Sequence, residues 1–363
     1  MPLYFNQIKN HQSLLLARYR LVERGILIFL FFFAVSFHDY FYKDYYKKRK
    51  ESIFKCNDFD ERNQHIFIND RITRSMDISI GIMAYNEGNN IGKLLEKLLT
   101  QKTKNIKIRE IIVVSSGSSD DTNDIVKRFS KKNNNVSLVI QKNRVGKADA
   151  INKFLKKAKS DILVLESADT LPTNDAIENL CKPLQNNAVG IVGGHPLPLI
   201  KSNHYLGFIV QLIWTLHHRI ALQKAKFGEI IAFRRLFREI KNTAVDEEYI
   251  AMLVKKLGFG CSYAHDAIVY NMGPKTISDF LKQRRRIYCG HMELRKKNNY
   301  SPPTMKNLLV LKEVIKIINT KNIFYILLAI LLEGYGRILG VYDYHTKKKH
   351  YVWEIAKTTK YLS

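Results

Sequence analysis

The chain has 363 residues, 46% of them hydrophobic and 25% charged, enough apolar material for one large domain with appendages and too much for a disordered polypeptide. Lys and Arg outnumber Asp and Glu, 59 to 33, and the net charge of +26 calls for a polyanionic neighbour: nucleic acid, an anionic membrane surface or phosphorylated small molecules. Cys56, Cys181, Cys261 and Cys289 form no CxxC pair and no tight Cys/His cluster, which argues against a zinc site or disulfide framework and for a reducing compartment.

Near the start, residues 25–37 read GILIFLFFFAVSF, uncharged, between Arg18, Arg20 and Arg24 on one side and KDYYKKRK on the other. The run is shorter than the roughly 20 residues of a spanning helix unless the aromatic HDYFY flank is drawn in. No small-residue cleavage site follows, so a removed signal peptide is not expected. Residues 1–75 are read as a membrane-associated helix and basic linker, with the basic flanks facing anionic lipid on the cytoplasmic side.

From residue 77 short apolar runs alternate with amphipathic segments. DISIGIMA (77–84) predicts a strand ending in YNEGNN, and Ile91, Leu94, Leu95, Leu98 and Leu99 keep helical spacing behind the cap candidates Asn89 and Asn90. EIIVV (110–114) predicts a second strand ending in SSGSSDDT, with Ile125, Val126 and Phe129 marking the next helix. VSLVI (136–140) is the third strand, followed by NRVGKADA and a helix through Ile151, Phe154, Leu155 and Ala158. DILVL (161–165) is the fourth, ending in Glu166 and Asp169, and AVGIV (188–192) the fifth. Such β-α-β-α alternation builds an α/β, Rossmann-like, mostly parallel sheet with helices on both faces. Ligands of open α/β sheets bind outside the carboxyl ends of the strands, and every polar cluster just quoted lies at such an end.

Those clusters suit a diphosphate. SSGSSDDT is a small-residue turn entering a helix whose free N–H groups favour anions. It has neither the GxxxxGKS/T order of a P-loop nor the GxGxxG of a dinucleotide fold, which weighs against phosphate hydrolysis and hydride transfer. Lys147 follows a glycine at a helix start, and Asp169 at a strand end can hold a hard divalent cation through oxygen. Further on, HYLGFIVQLIWTLHHRIAL (204–222) predicts a helix that lines the acceptor side, lies on a membrane surface or packs in the core, and its adjacent His217 and His218 stand about 100° apart, an arrangement that disfavours chelation. At 322–342, NIFYILLAILLEGYGRILGVY is long enough to span a bilayer but carries Glu333 and Arg337, an i, i+4 pair able to neutralise each other. Residues 301–363 are read as this apolar helix with a basic tail.

Taken in order, GIMAYNEGNNIGKLL, EIIVVSSGSSDDT, VGKADAIN, LVLESADTLP and GIVGG resemble the nucleotide-binding half of family 2 glycosyltransferases, the GT-A fold. GEIIAFRR (228–235), VDEEYI (245–250), LGFGCSYAHDAIVYN (257–271) and QRRRIYCGH (283–291) resemble the acceptor half. The likeness covers about residues 76–300, divided as 76–195 and 196–300. It implies an inverting transfer of a sugar from a nucleotide-sugar with a divalent metal, Mg²⁺ or Mn²⁺; with the apolar stretches and their basic flanks, the expectation is transfer to a lipid-linked or glycan acceptor at the cytoplasmic face of the cell membrane.

Carried over by position, the resemblance makes Ala84, Tyr85 and Glu87 line the base and ribose pocket. The usual Asp-Asp-Gly-Ser turn is here Ser115-Ser116-Gly117-Ser118, so Ser116 meets the nucleotide without charge. The family's Asp-x-Asp metal motif corresponds to Ser167-Ala168-Asp169, which leaves Asp169 as the metal ligand and turns Glu166 to the opposite face of a regular strand. The base that takes the acceptor proton falls in Asp246-Glu247-Glu248. Counting back from Gly258 selects Glu247, whereas residue type selects Asp246; Asp246 is the expected base with Glu247 in reserve. Gly228 and Glu229 stand on the acceptor side. Gln283 and Arg286 match Gln-x-x-Arg-Trp, with Ile287 in place of the tryptophan, and Arg286 would stabilise the leaving diphosphate. Loss of that tryptophan counts against long-chain polymerisation. A nucleotidyltransferase on a similar sheet would carry an early glycine-rich signature that AYNEGNN lacks. A nucleic-acid-binding protein rests on charge alone, its lysines spread out and without a zinc finger or RNP-type signature, so no nucleic-acid partner is expected.

Overall fold

The computed structural model describes residues 75–199, 205–354 and 357–359; the apolar run at 25–37 and the basic linker lie outside them. Strands β1 (Met76–Ala84), β2 (Ile106–Ser116), β3 (Val136–Gln141) and β4 (Ile162–Ser167) alternate with helices α1 (Gly88–Leu99), α2 (Thr122–Lys132) and α3 (Lys147–Lys157). There follow β5 (Thr170–Pro172), α4 (Ala176–Cys181), β6 (Val189–Pro198), α5 (Tyr205–Gln223), β7 (Ile230–Arg234), α6 (Asp246–Lys256) and β8 (Gly260–Asn271). Helices α7 (Ile277–Asn298), α8 (Asn307–Ile315) and α9 (Ile323–His345) complete the C-terminal part.

One eight-stranded sheet runs β3-β2-β1-β4-β7-β6-β8-β5. β1 pairs in parallel with β2 and β4, and β2 with β3, whereas β7 is antiparallel to both β4 and β6. In this order the chain winds outward from β1 to β3 and then restarts at β4, which opens a crevice beyond the carboxyl ends of β1 and β4. Register brings those ends level: Ala84 faces Ser115 and Met83 faces Ser167.

The two-residue period of the strands divides the core. Ile78, Ile80, Ile82, Ile111, Val113 and Val164 meet α1 and α2, while Ile112, Val114, Leu163 and Leu165 meet α3 and α6. Gly81 permits that second layer to come close, because a β-carbon there would stand 2.6 Å from the Phe154 ring of α3. The sequence pattern caught only the apolar centre of β2; the strand begins at Ile106, where Lys107 and Arg109 alternate outward. Asn89 and Asn90 do not cap α1: Glu87 precedes the helix, and Asn90 is buried inside its first turn, donating to Glu87 Oε2 at 2.9 Å.

A third apolar cluster joins α5, α7 and α9 through Leu206, Ile209, Leu212, Phe280, Ile326 and Ala329. Helix α9 sits on α7 by close approach, since β-carbons at Gly336 and Gly340 would press on Arg284 and Tyr288. Polar groups on the inner face of α9 complete the seat. Glu333 accepts from Arg284 Nε at 2.6 Å and from Arg337 Nε at 2.9 Å, so the expected i, i+4 pair exists but is shared with α7. Among the described residues, α9 is the one helix long and apolar enough to cross a membrane.

Candidate active site

Beyond the carboxyl ends of β1, β2 and β4 lies a cavity of about 410 Å³. Its sheet-side wall is made by Ala84, Tyr85, Glu87, Ser116, Ser167 and Asp169. Arg144 lies over the Tyr85 ring, 4.2 Å from its centroid, and the Ser116 hydroxyl is buried without a partner among the described residues. That wall presents an aromatic face and open hydroxyls, the groups a base and ribose need.

Acids gather at the centre. Burial lifts Glu229 to about 7, Asp169 and Glu247 adding to the rise and Lys147 opposing it. Burial also lifts Glu166 to about 8, against the hydrogen bond it accepts from Thr170 and with the help of Glu229 and Asp169. One Glu166 oxygen is buried without a partner among the described residues, and Glu166, on the reversed face of β4, does not border the cavity. Asp169 and Glu229, which border the cavity, are hard oxygen donors in mutual repulsion, a combination a divalent cation would relieve. No three His, Cys, Asp or Glu among the described residues form a cage for an ion, so a bound cation would take its other oxygens from the donor's phosphates or water.

Lys147, at the start of α3 after Gly146 with φ of +123°, reaches across to Glu247 on α6 with an Nζ–Oε1 distance of 2.5 Å. Burial disfavours its charge, but Glu247 and Asp246 more than compensate and raise its pKa. Glu247 is correspondingly held below the ordinary glutamate range, Lys147 outweighing the effect of burial. Asp246 differs. It is fully buried, neither carboxylate oxygen has a hydrogen-bond partner among the described residues, and burial lifts it to about 7 against the pull of Lys147 and Arg286. Glu247 borders the cavity; Asp246 lies behind it.

The three consecutive arginines of α7 point three ways, as steps of about 100° dictate. Arg284 goes to Glu333; Arg285 donates to both oxygens of Asp343 at 2.6 and 2.5 Å; Arg286 enters the cavity, donating to the Ala244 carbonyl at 2.7 Å. Burial depresses Arg286 to about 10, with Asp246 and Glu247 opposing, which leaves it cationic at neutral pH. The chain after α9 then returns over the donor side. The Trp353 ring lies 3.5 Å from the Arg286 guanidinium carbon and 4.8 Å from Lys147 Nζ, while Arg144 donates to the Trp353 carbonyl. The indole N–H is buried and has no partner among the described residues.

Residues 79–241 match the sequence model of glycosyl transferase family 2. Over that stretch the chain is similar to family 2 glycosyltransferases. It is 25% identical over 259 residues to the poly-beta-1,6-N-acetyl-D-glucosamine synthase of Staphylococcus aureus strain MSSA476, covering 66% of this chain and 62% of the relative. It is 26% identical over 249 residues to the Staphylococcus epidermidis synthase of the same name, covering 64% and 58%. The chain thus spans less than two thirds of the length of these relatives. Among solved structures, the mannosyltransferase PcManGT of Pyrobaculum calidifontis, in complex with GDP-Man and Mn²⁺, superposes with a TM-score of 0.57 at 21% identity over 75% of this chain and 87% of that one. That similarity establishes the GT-A architecture.

The cavity brings together Ala84, Tyr85, Glu87, Ser116, Lys147, Ser167, Asp169, Gly228, Glu229, Glu247, Gln283 and Arg286, all singled out by motif order. Asp246 is the expected residue that does not border it. Trp214 and His217, which do, lie in the helix that sequence reasoning read as acceptor-side lining or a membrane-surface helix; it missed Arg144, Lys226 and Trp353, which also do. Of these only Trp353 carried a readable signal, as an isolated aromatic in a basic tail; what it covers is a tertiary fact. Trp353→Ala is expected to weaken nucleoside diphosphate binding about tenfold, the effect of losing a desolvated cation–π stack, whereas Trp353→Phe keeps most of it; calorimetric titration reads the difference.

Proposed function

We propose that the chain is an inverting glycosyltransferase that moves a sugar from a nucleotide-sugar to a lipid-linked or glycan acceptor. One observation carries this reading: Asp169, Lys147, Glu247 and Arg286, from four separate elements, border a single cavity at the carboxyl ends of the sheet. The base and ribose rest between Tyr85, Glu87 and Ser116, and the diphosphate extends toward Lys147 and Arg286. Asp169, with Glu229 beside it, holds Mg²⁺ or Mn²⁺. The cation supplies charge neutralisation for the departing diphosphate.

In the transfer, the acceptor oxygen forms the new bond to the anomeric carbon from the face opposite the diphosphate. The bond from that carbon to the phosphate oxygen breaks, and the nucleoside diphosphate leaves with the electron pair. Glu247 takes the acceptor proton. Lys147 prepares that step, because an arriving diphosphate competes for its ammonium group and frees the Glu247 carboxylate to act as a base. Arg286 meets the charge that grows on the leaving group.

The protein is further proposed to work at the cytoplasmic surface of the cell membrane. Leu331, Tyr335, Ile338 and Tyr342 stand exposed on α9, opposite the Glu333 and Asp343 contacts that tie the helix to α7. A helix seated this way offers one face to lipid while its other face stays on the protein. The test is a screen of nucleotide-sugars with Mg²⁺ and Mn²⁺ that reads thermal shift and released nucleoside diphosphate. Release of pyrophosphate instead would move the enzyme to nucleotidyl transfer. Asp169→Ala should abolish the metal dependence and weaken donor binding by at least about tenfold together; an unchanged metal titration would refute the role of Asp169.

A further inference from the structure

The cavity does not end at the donor site. Its lining continues along α5, α7, α8 and α9, where Val210, Ile213 and Leu216 of α5, Phe280 of α7 and Val310 of α8 are apolar and the charged groups, Arg284, Arg337 and Glu333, are paired with one another. An oligosaccharide passage needs flat aromatic platforms and a dense set of hydrogen-bonding side chains. This stretch has two aromatic side chains, Trp214 and Phe280, and apart from that ion-paired cluster and Thr304 its walls are branched aliphatic. At the junction between the charged and the aliphatic parts stands His217, fully buried, edge-on to Trp214 with ring centroids 5.3 Å apart. Neither of its ring nitrogens has a partner among the described residues, and burial together with Lys226 keeps the ring neutral. A neutral imidazole has one donor and one acceptor to offer, so an unpartnered one bordering a cavity awaits a polar head.

The outer side of the same helices has matching character. While Val310 faces the cavity, Leu308, Leu311 and Ile315 of α8 stand exposed, and the apolar surface continues along α9 through Phe324 and Leu331. Exposed lysines at 312, 321 and 347 border it, the sign that suits anionic lipid. A molecule held in such a surface by its tail would reach the aliphatic end of the cavity without crossing water.

Resting on the glycosyltransferase reading above, we infer that the acceptor is an amphiphile: its aliphatic tail lies between α5 and α8 along Ile213, Leu216 and Val310, and its oxygen-bearing head meets His217 on the way to Glu247. The head's oxygen is the nucleophile of the transfer already balanced; a phosphate head needs no base, a hydroxyl head gives its proton to Glu247.

The chain has two tryptophans, Trp214 and Trp353, so Trp353→Phe leaves Trp214 as a sole reporter beside the proposed path. In this variant of the full chain, ω-bromoundecyl phosphate or ω-bromoundecanol should quench Trp214 saturably, at least about tenfold more tightly than the bromopropyl compounds with the same heads, since the added methylenes are buried. Whichever head binds tighter names the nucleophile. Adding Ile213→Arg should abolish the quenching while a nucleoside diphosphate with Mn²⁺ still raises the melting temperature, which shows that the fold and donor site survive. Equal quenching by long and short chains, undiminished quenching after Ile213→Arg, or tighter protection of Trp214 by a soluble oligosaccharide would overturn the inference. Long-chain quenching without any nucleotide-induced shift would leave the amphiphile path standing and sink the donor reading instead; the reverse pattern sinks the path alone.

Discussion

Glu247→Gln is expected to lower turnover by about 10²- to 10⁴-fold, the range a positioned general base supplies, while leaving donor binding intact or slightly tighter. The second half of that expectation is the more diagnostic. In the free protein Glu247 occupies Lys147 at 2.5 Å. A neutral glutamine no longer competes for the ammonium group, so the diphosphate gains what the carboxylate gives up. Asp246→Asn should cost much less, under about tenfold. Its carboxyl is buried and does not border the cavity.

The pH profile separates the two acids independently of mutation. A base works deprotonated, so activity falls as pH drops through its pKa. Were Asp246 the base, kcat/KM would decline below about 7, where burial places that group. With Glu247 as base the acid limb in the free enzyme lies below the ordinary glutamate range, because Lys147 outweighs burial there, and activity stays level through neutrality. A limb near 7 that disappears in Asp246→Asn would reassign the base.

Which of these facts the sequence could reveal follows from their physical range. The strands were legible because β-branched runs bury on both sheet faces, and each run's polar terminus fell where an open α/β sheet binds ligands. Lys147 and Asp169 were legible as cavity positions because each sits at an element end, and Arg286 because its motif spacing from Gln283 matched a known pattern. Choosing between Asp246 and Glu247 was not, since adjacent residues at a helix start differ by about 100° of rotation and only packing decides which turns outward. Residue type selected the shorter acid; in the fold Asp246 is buried outside the lining and its neighbour Glu247 borders the cavity. The RRR run of α7 read as one basic patch, yet its members separate onto Glu333, Asp343 and the cavity. Their partners lie 42 or more residues away in sequence, beyond the reach of any periodicity.

Asp343→Asn should lower stability by about 3 kcal/mol, toward the modest end for a broken buried ion pair because Arg285 retains some solvent. The melting temperature should fall by about 5–10 °C for a unit of this size. The reason lies in how much one side chain holds. Asp343 is 1% exposed; it receives both Arg285 bonds from α7 and a third from His350 Nε2 at 2.7 Å. Those hydrogen bonds hold its carboxyl below the usual aspartate range despite burial. A depressed carboxylate contributes fully above its unfolded value of 3.8, and that contribution is lost as pH falls through the lower folded value, so wild type and variant should converge in acid. His350 stands three residues before Trp353, and the segment also rests on Gly146, where a β-carbon would come within 2.8 Å of the Tyr351 carbonyl. Releasing His350 therefore loosens Trp353 from Arg286 and Lys147. Asp343→Asn should thus weaken nucleoside diphosphate binding as Trp353→Ala does, although Asp343 borders no part of the cavity. Trp353→Ala alone should leave the melting temperature within about 2 °C of wild type. Should Asp343→Asn melt with the wild-type protein and bind diphosphate equally well, the return of the chain over the donor site is held by something other than this carboxylate.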